Sequence, residues 1–224
     1  MDYTILRILL IAGLAMTAAA EDPQYAAFWR WFERHQQTYR DFSQVDASVE
    51  KAFDALAAEM NKLHPKLTFE FGPRSATREF IVSADGFRSA SAAVRMLVAA
   101  APRLPGWTVI PFRQPKTTTV GVEYGGERVD LKTARFKLFP SGADRIGILL
   151  LVDPKTYQHK ERHDGSVWLT LDSIVGEEAM IEGAGQVIIE DQTHGLYKAF
   201  LPDTVPLGQF RDVFLRERVQ RHRP

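Results

Sequence analysis

The chain has 224 residues, 45% of them hydrophobic and 25% charged, which is enough to bury a substantial core in one large domain or two small ones. Its 28 basic and 28 acidic residues cancel, so it lacks the basic surplus expected of a nucleic-acid binder. It has no cysteine, which excludes disulfides, thiol catalysis, thiolate metal sites and a lipid-modified cysteine.

Residues 1–20, MDYTILRILLIAGLAMTAAA, have the order of a secretory signal: Arg7, an apolar run from Ile8 to Met16, then Ala18-Ala19-Ala20. The run is shorter than the ~20 residues a membrane span needs. Cleavage after Ala20 is expected, giving an exported, periplasmic or secreted protein with no stable membrane anchor. An uncleaved anchor is the alternative.

Residues 21–65 read as a helical segment. Asp22-Pro23 is a capped helix start, and Tyr25, Phe28, Trp29, Phe32 and Tyr39 follow at helical spacing. Such a stripe is the usual way a helix buries area, so core packing is preferred over a ligand platform. Trp31 lies off the stripe and is a candidate partner contact. A second helix runs from about Asp46 to Leu63 with Val49, Phe53, Leu56, Met60 and Leu63 inward, and His64-Pro65 ends it.

Residues 66–200 form the expected α+β core. Leu67, Phe69 and Phe71 alternate with polar residues as a half-buried strand, and Phe80-Ile81-Val82 make a second. Ser83-Ala84-Asp85-Gly86 then turns the chain into an alanine-rich helix from about Arg88 to Ala101, and Trp107-Thr108-Val109-Ile110 follow as a strand. Gly125-Gly126 centres a hairpin. RFKLFP and RIGILLLVD add two strands, a polar stretch KTYQHKERHDG reads as a loop, and a helix carries Val167, Trp168, Leu171 and Val175. Val187-Ile188-Ile189 is a last strand. Residues 201–224 give a helix from Asp203 and a basic tail.

The order strand–strand–helix–strand occurs twice, with Phe69 and Phe136, and Phe80 and Gly147, at one offset of 67 residues. The expected fold is therefore α+β: a largely antiparallel, mixed sheet with packed helices, two ββαβ pseudo-repeats, and two N-terminal helices.

Chemical motifs are sparse. There is no phosphate-binding glycine loop and no H-E-x-x-H. Ser83 lacks a nucleophile elbow, so its turn, Asp85 included, reads as structural. His159 and His163 have the four-residue spacing of a helical metal pair, against the plainer reading of a solvated loop. Six acids and no base lie between Asp172 and Asp191; among them Glu177-Glu178 could supply paired carboxylates or a solvated turn. Arg113 is either an anion anchor or a salt-bridge residue. Trp107 completes the binding candidates.

Phe28-Trp29 with Trp31-Phe32, Phe69-Glu70-Phe71, Ser83-Ala84-Asp85-Gly86, Ala101-Pro102 with Gly106-Trp107, and Leu171-Asp172 with Gly176-Glu177 occur in this order. The combination, from about Tyr25 to Asp191, resembles an uncharacterised bacterial family carrying a domain of unknown function. That resemblance implies no activity and transfers no catalytic residue; the leader is a departure from it.

Two readings remain. A non-catalytic binding or interaction module, with a protein or small-molecule partner and no cofactor, expects no buried cluster of titratable groups. A hydrolase or metal-dependent enzyme expects Glu177, Glu178, His159 and His163 in one cleft.

Overall fold

The computed structural model describes residues 22–116, 121–124, 127–158 and 160–221. The leader, the Gly125-Gly126 turn and His159 lie outside them. Among the described residues, no helix is long and apolar enough to cross a membrane.

Helix α1 (Pro23–Asp41) starts where Asp22 accepts from the Gln24 amide, and α2 (Ala47–Leu63) starts where Asp46 accepts from Ser48 and Val49. The aromatic stripe of α1 is buried: Tyr25, Phe28, Trp29, Phe32 and Tyr39. Their target is a three-stranded sheet of β1 (Thr68–Phe71), β2 (Arg78–Ser83) and β3 (Trp107–Pro111). Phe32 stacks on Phe80 of β2 at 4.8 Å, and Trp29 donates its indole N–H to the Leu97 carbonyl. β1 is antiparallel to β2, and β2 is parallel to β3. The parallel pair requires a crossover, supplied by α3 (Ser91–Ala99).

Arg78 fixes this layer. It is 4% exposed, and its guanidinium donates to the carbonyls of Gly72, Tyr39, Arg40 and Phe42 while lying 3.8 Å over the Phe42 ring. Three of those carbonyls belong to the end of α1, where intrahelical donors run out.

A hairpin of β4 (Gly121–Tyr124) and β5 (Glu127–Asp130) leads to the second half. There β6 (Arg135–Pro140) pairs antiparallel with β7 (Ile146–Val152), which pairs in parallel with β8 (Ala184–Asp191). The crossover holds α4 (Pro154–Gln158), α5 (Lys160–Val175) and α6 (Glu177–Gly183). Helix α7 (Gly195–Lys198) and a short strand β9 (Val205–Pro206), antiparallel to β6, precede α8 (Phe210–Arg221). All of β7 is buried, as befits a central strand, and Phe210 of α8 meets Phe136 edge-on at 5.0 Å.

The mixed α+β fold and its repeated ββαβ order therefore hold. In each half a further amide extends the parallel pairing: Phe112 N–H to Val82 O, and Gln192 N–H to Val152 O. The single offset does not hold. Phe69 pairs with Val82 and Phe136 with Leu150, so the first strands are 67 apart and the second strands 68 (150 − 82). Phe80 thus corresponds to Ile148, both fully buried. Gly147 instead lies opposite Phe139, whose ring would sit 2.3 Å from an added Cβ.

Two local expectations are corrected. Residues 155–165, read as a polar loop, are helical apart from the undescribed 159, because Asp153 accepts from the Lys155 and Thr156 amides and the Thr156 hydroxyl. The last helix begins at Phe210, not Asp203, since Val205 and Pro206 are drawn into the sheet edge.

Candidate functional site

The parallel strands β2 and β3 end side by side, and the chain leaves each through a left-handed residue. After β2 it is Asp85, φ +49°; after β3 it is Phe112, φ +57°. Asp tolerates this region, but a buried aromatic there is a genuine outlier of the kind found at functional sites. The kink keeps the Phe112 ring inside and sends Arg113 across the mouth of the turn. Ligand sites of open α/β sheets lie at such carboxyl ends.

Glu177, at the start of α6, closes the arrangement from the other half and is 0% exposed. One oxygen accepts from the Ser83 hydroxyl (2.9 Å) and the Ala84 (3.0 Å) and Gly86 (3.3 Å) amides. The other accepts from the Arg113 amide at 2.9 Å. Gly176, φ +93°, makes the bend that points this carboxylate inward. The solvated-turn reading is thus overturned for Glu177. Its neighbour Glu178 does point outward and pairs with Arg95 at 2.6 Å.

The Ser83 hydroxyl donates to Glu177 and accepts from the Asp85 amide (2.9 Å) and Arg113 Nη1 (2.8 Å). With its proton and both lone pairs engaged, and no exposure, it is not placed to attack a substrate. The Ser83 side chain therefore holds the turn in shape.

Four carboxylates surround the Arg113 guanidinium. Asp85 lies at 3.1 Å, Glu70 at 3.3 Å, and Glu177 and Asp172 at 3.8 Å. Burial alone would lower the arginine's pKa; the attraction of Glu177, Asp172, Glu70 and Asp85 outweighs it and raises the pKa. Arg113 is accordingly an ion-pair residue, and it fills the centre of the acidic group. Among the described residues, no three His, Asp or Glu side chains gather in a way that could hold a metal ion.

Asp172 is the least satisfied member. It is 5% exposed, and among the described residues its carboxyl accepts no hydrogen bond and has one cation nearby, Arg113 at 3.8 Å. Burial pushes its pKa up to about 7 against the pull of Arg113, with Glu177, Asp85 and Glu70 adding to the rise. Its protonated form therefore persists well above the pH range of an ordinary carboxylate.

Asp172 borders a half-open cleft of about 370 Å³ together with Asp85, Gly86, Phe87, Arg113, Gly165, Trp168 and Leu169. Gly165, Trp168, Leu169 and Asp172 form one face of α5 at helical spacing. Trp168 and Phe87 are 38% and 42% exposed, large apolar groups left open to solvent. A neighbouring recess of about 310 Å³ shares Gly86, Trp168 and Asp172 and continues to Arg88 and Arg145.

Asp85, Arg113 and Glu177 come together here, and a buried titratable cluster exists where a binding module was expected to have none. Trp31 and Trp107 belong to the first core: Trp31 stacks on His35 at 4.4 Å, and Trp107 donates to Gln36. His159 lies outside the described residues, as does the side chain of His163 on α5. Sequence reasoning missed Asp172, Trp168, Phe87, Arg88 and Arg145. The readable signal was Gly165, Trp168 and Asp172 recurring at three- and four-residue steps on one helix.

No family model, curated protein or solved structure matches the chain.

Proposed function

We propose that the chain is an exported, non-catalytic binding protein whose small-molecule site is the cleft between Asp85, Arg113, Asp172 and Trp168. The observation that carries this reading is the meeting of a carboxyl that accepts no hydrogen bond among the described residues, an exposed indole and an opening of about 370 Å³ at one place. Apart from Asp172, the acids that could otherwise start a reaction are engaged: Glu177 holds the turn, and Asp85 and Glu70 hold Arg113. Export rests on the leader-like residues 1–20.

A thermal-shift screen of small metabolites against the chain, with Trp168→Ala alongside, tests the site. Compounds that stabilise the native chain and not the variant support it. Compounds that stabilise both equally place binding elsewhere and sink it. Export is checked by mass spectrometry of envelope material, which should begin at Glu21; an intact Met1 there overturns cleavage.

A second reading has one specific support. A carboxyl with a pKa of about 7 at a cleft is suited to general acid–base work. It expects turnover of a bound compound, lost in Asp172→Asn with binding retained.

A further inference from the structure

The two recesses have opposite electrical character. Around Arg113, four carboxylates face a single guanidinium, so negative charge is in excess. At the far end, Arg88 and Arg145 pair with no carboxylate among the described residues. Arg145 donates to the carbonyls of Ile181 and Ala184, and Arg88 is exposed. Burial lowers the Arg145 pKa, and the nearness of Arg88 lowers it further. Asp172 and Trp168 border both recesses, so the two ends share a wall.

Such a layout does not suit a simple cation, which would meet two guanidinium groups, nor a simple anion, which would meet the acids. Each charged end lacks what the other carries. We infer that the cleft recognises a zwitterion, its ammonium group against Asp172 and Asp85, its carboxylate between Arg88 and Arg145, and its apolar part over Trp168. This rests on the cleft being the binding site, and it names the ligand class: a free amino acid or a short peptide with both termini free. The Asp172 carboxyl, 5% exposed and accepting no hydrogen bond among the described residues, supplies the acceptor that an ammonium needs in a partly dry site.

Ammonium binding would also favour the ionised form of Asp172. The carboxyl faces Arg113, Glu177, Asp85 and Glu70, and burial raises its pKa to about 7. Binding would therefore release protons, and affinity would rise as pH increases from about 6 to 8.

Four probes separate the alternatives when titrated into isotope-labelled protein and followed at the Trp168 indole: leucine, leucyl-leucine, isopentylamine and 4-methylpentanoate. Leucine or leucyl-leucine should bind about tenfold more tightly than either single-charge analogue; which of the two is tighter assigns a free amino acid or a peptide. Asp172→Asn and the exposed Asp85→Asn should weaken the zwitterion and the amine and leave the acid unchanged. Arg88→Gln should weaken the zwitterion and the acid and leave the amine unchanged. Equal affinity of a single-charge analogue and the zwitterions overturns the inference while the cleft remains the site. So does binding at the indole by other compounds but by neither zwitterion. If no compound perturbs the indole, the inference and the proposed site fail together.

Discussion

Glu177 and Arg113 bind each other twice through the backbone: the Glu177 amide donates to the Arg113 carbonyl at 3.0 Å, and the Arg113 amide donates to the Glu177 carboxylate at 2.9 Å. This reciprocal pair joins the end of β3 to the start of α6, and so one ββαβ unit to the other. Removing the carboxylate leaves the Ala84, Gly86 and Arg113 amides without that acceptor. Glu177→Ala is expected to cost about 3–5 kcal/mol, read as a fall in urea midpoint. Arg95→Ala, which breaks the exposed pairs with Glu178 and Glu182, should cost less than about 1 kcal/mol. Equal losses would show that the buried carboxylate is not the seam's main tie.

Asp172 makes stability depend on pH in an unusual direction. Its native pKa of about 7 lies above the unfolded value of 3.8, so between these limits the native state holds more protons. Its contribution is full below about pH 4 and is lost as pH rises toward 7. Asp172→Asn cannot ionise; it should stabilise the chain at pH 8 by about 2–4 kcal/mol and change little near pH 4. Denaturant curves at the two pH values provide the comparison, and an equal effect at both would contradict the assignment.

Gly176 carries a φ of +93°, and a Cβ there would lie 3.2 Å from the Pro115 ring. Gly176→Ala should lower stability by about 1–3 kcal/mol and loosen the cleft. The check is amide exchange at Ala84 and Gly86, which should speed up relative to amides of β7. Unchanged exchange would mean that the bend and the Glu177 contacts are independent.

Arg78→Lys keeps the charge but loses the planar fork that reaches four carbonyls. A loss of about 1–3 kcal/mol is expected, with fraying at Tyr39–Phe42 seen by exchange. Full stability in the lysine variant would show that positive charge alone closes that helix.

Much of the scaffold could be read directly from residues. Period and caps gave the α1 stripe, the capped start of α1, the span of α2 and the repeated strand order, because these depend on neighbours in the chain. The Asp153-Pro154 start was missed beside so polar a stretch, although Asp22-Pro23 carried the same signal. The site was less legible. Glu177 looks like half of a solvated acidic pair until Gly176 turns it toward amides 91 to 93 residues away. Asp172 gains its character only when Arg113, Glu70 and Asp85 arrive from another sheet. No local pattern encodes such a meeting.

Helix α6 has a second consequence. Ile181 packs in the first hydrophobic core and Met180, one residue earlier, in the second. A seven-residue segment is thus common property of both lobes. A fragment cut between β5 and β6 would deprive its N-terminal piece of that shared wedge and strand apolar surface on both products. The two similar units are therefore expected to melt in a single transition, as partners that have lost the capacity to live apart.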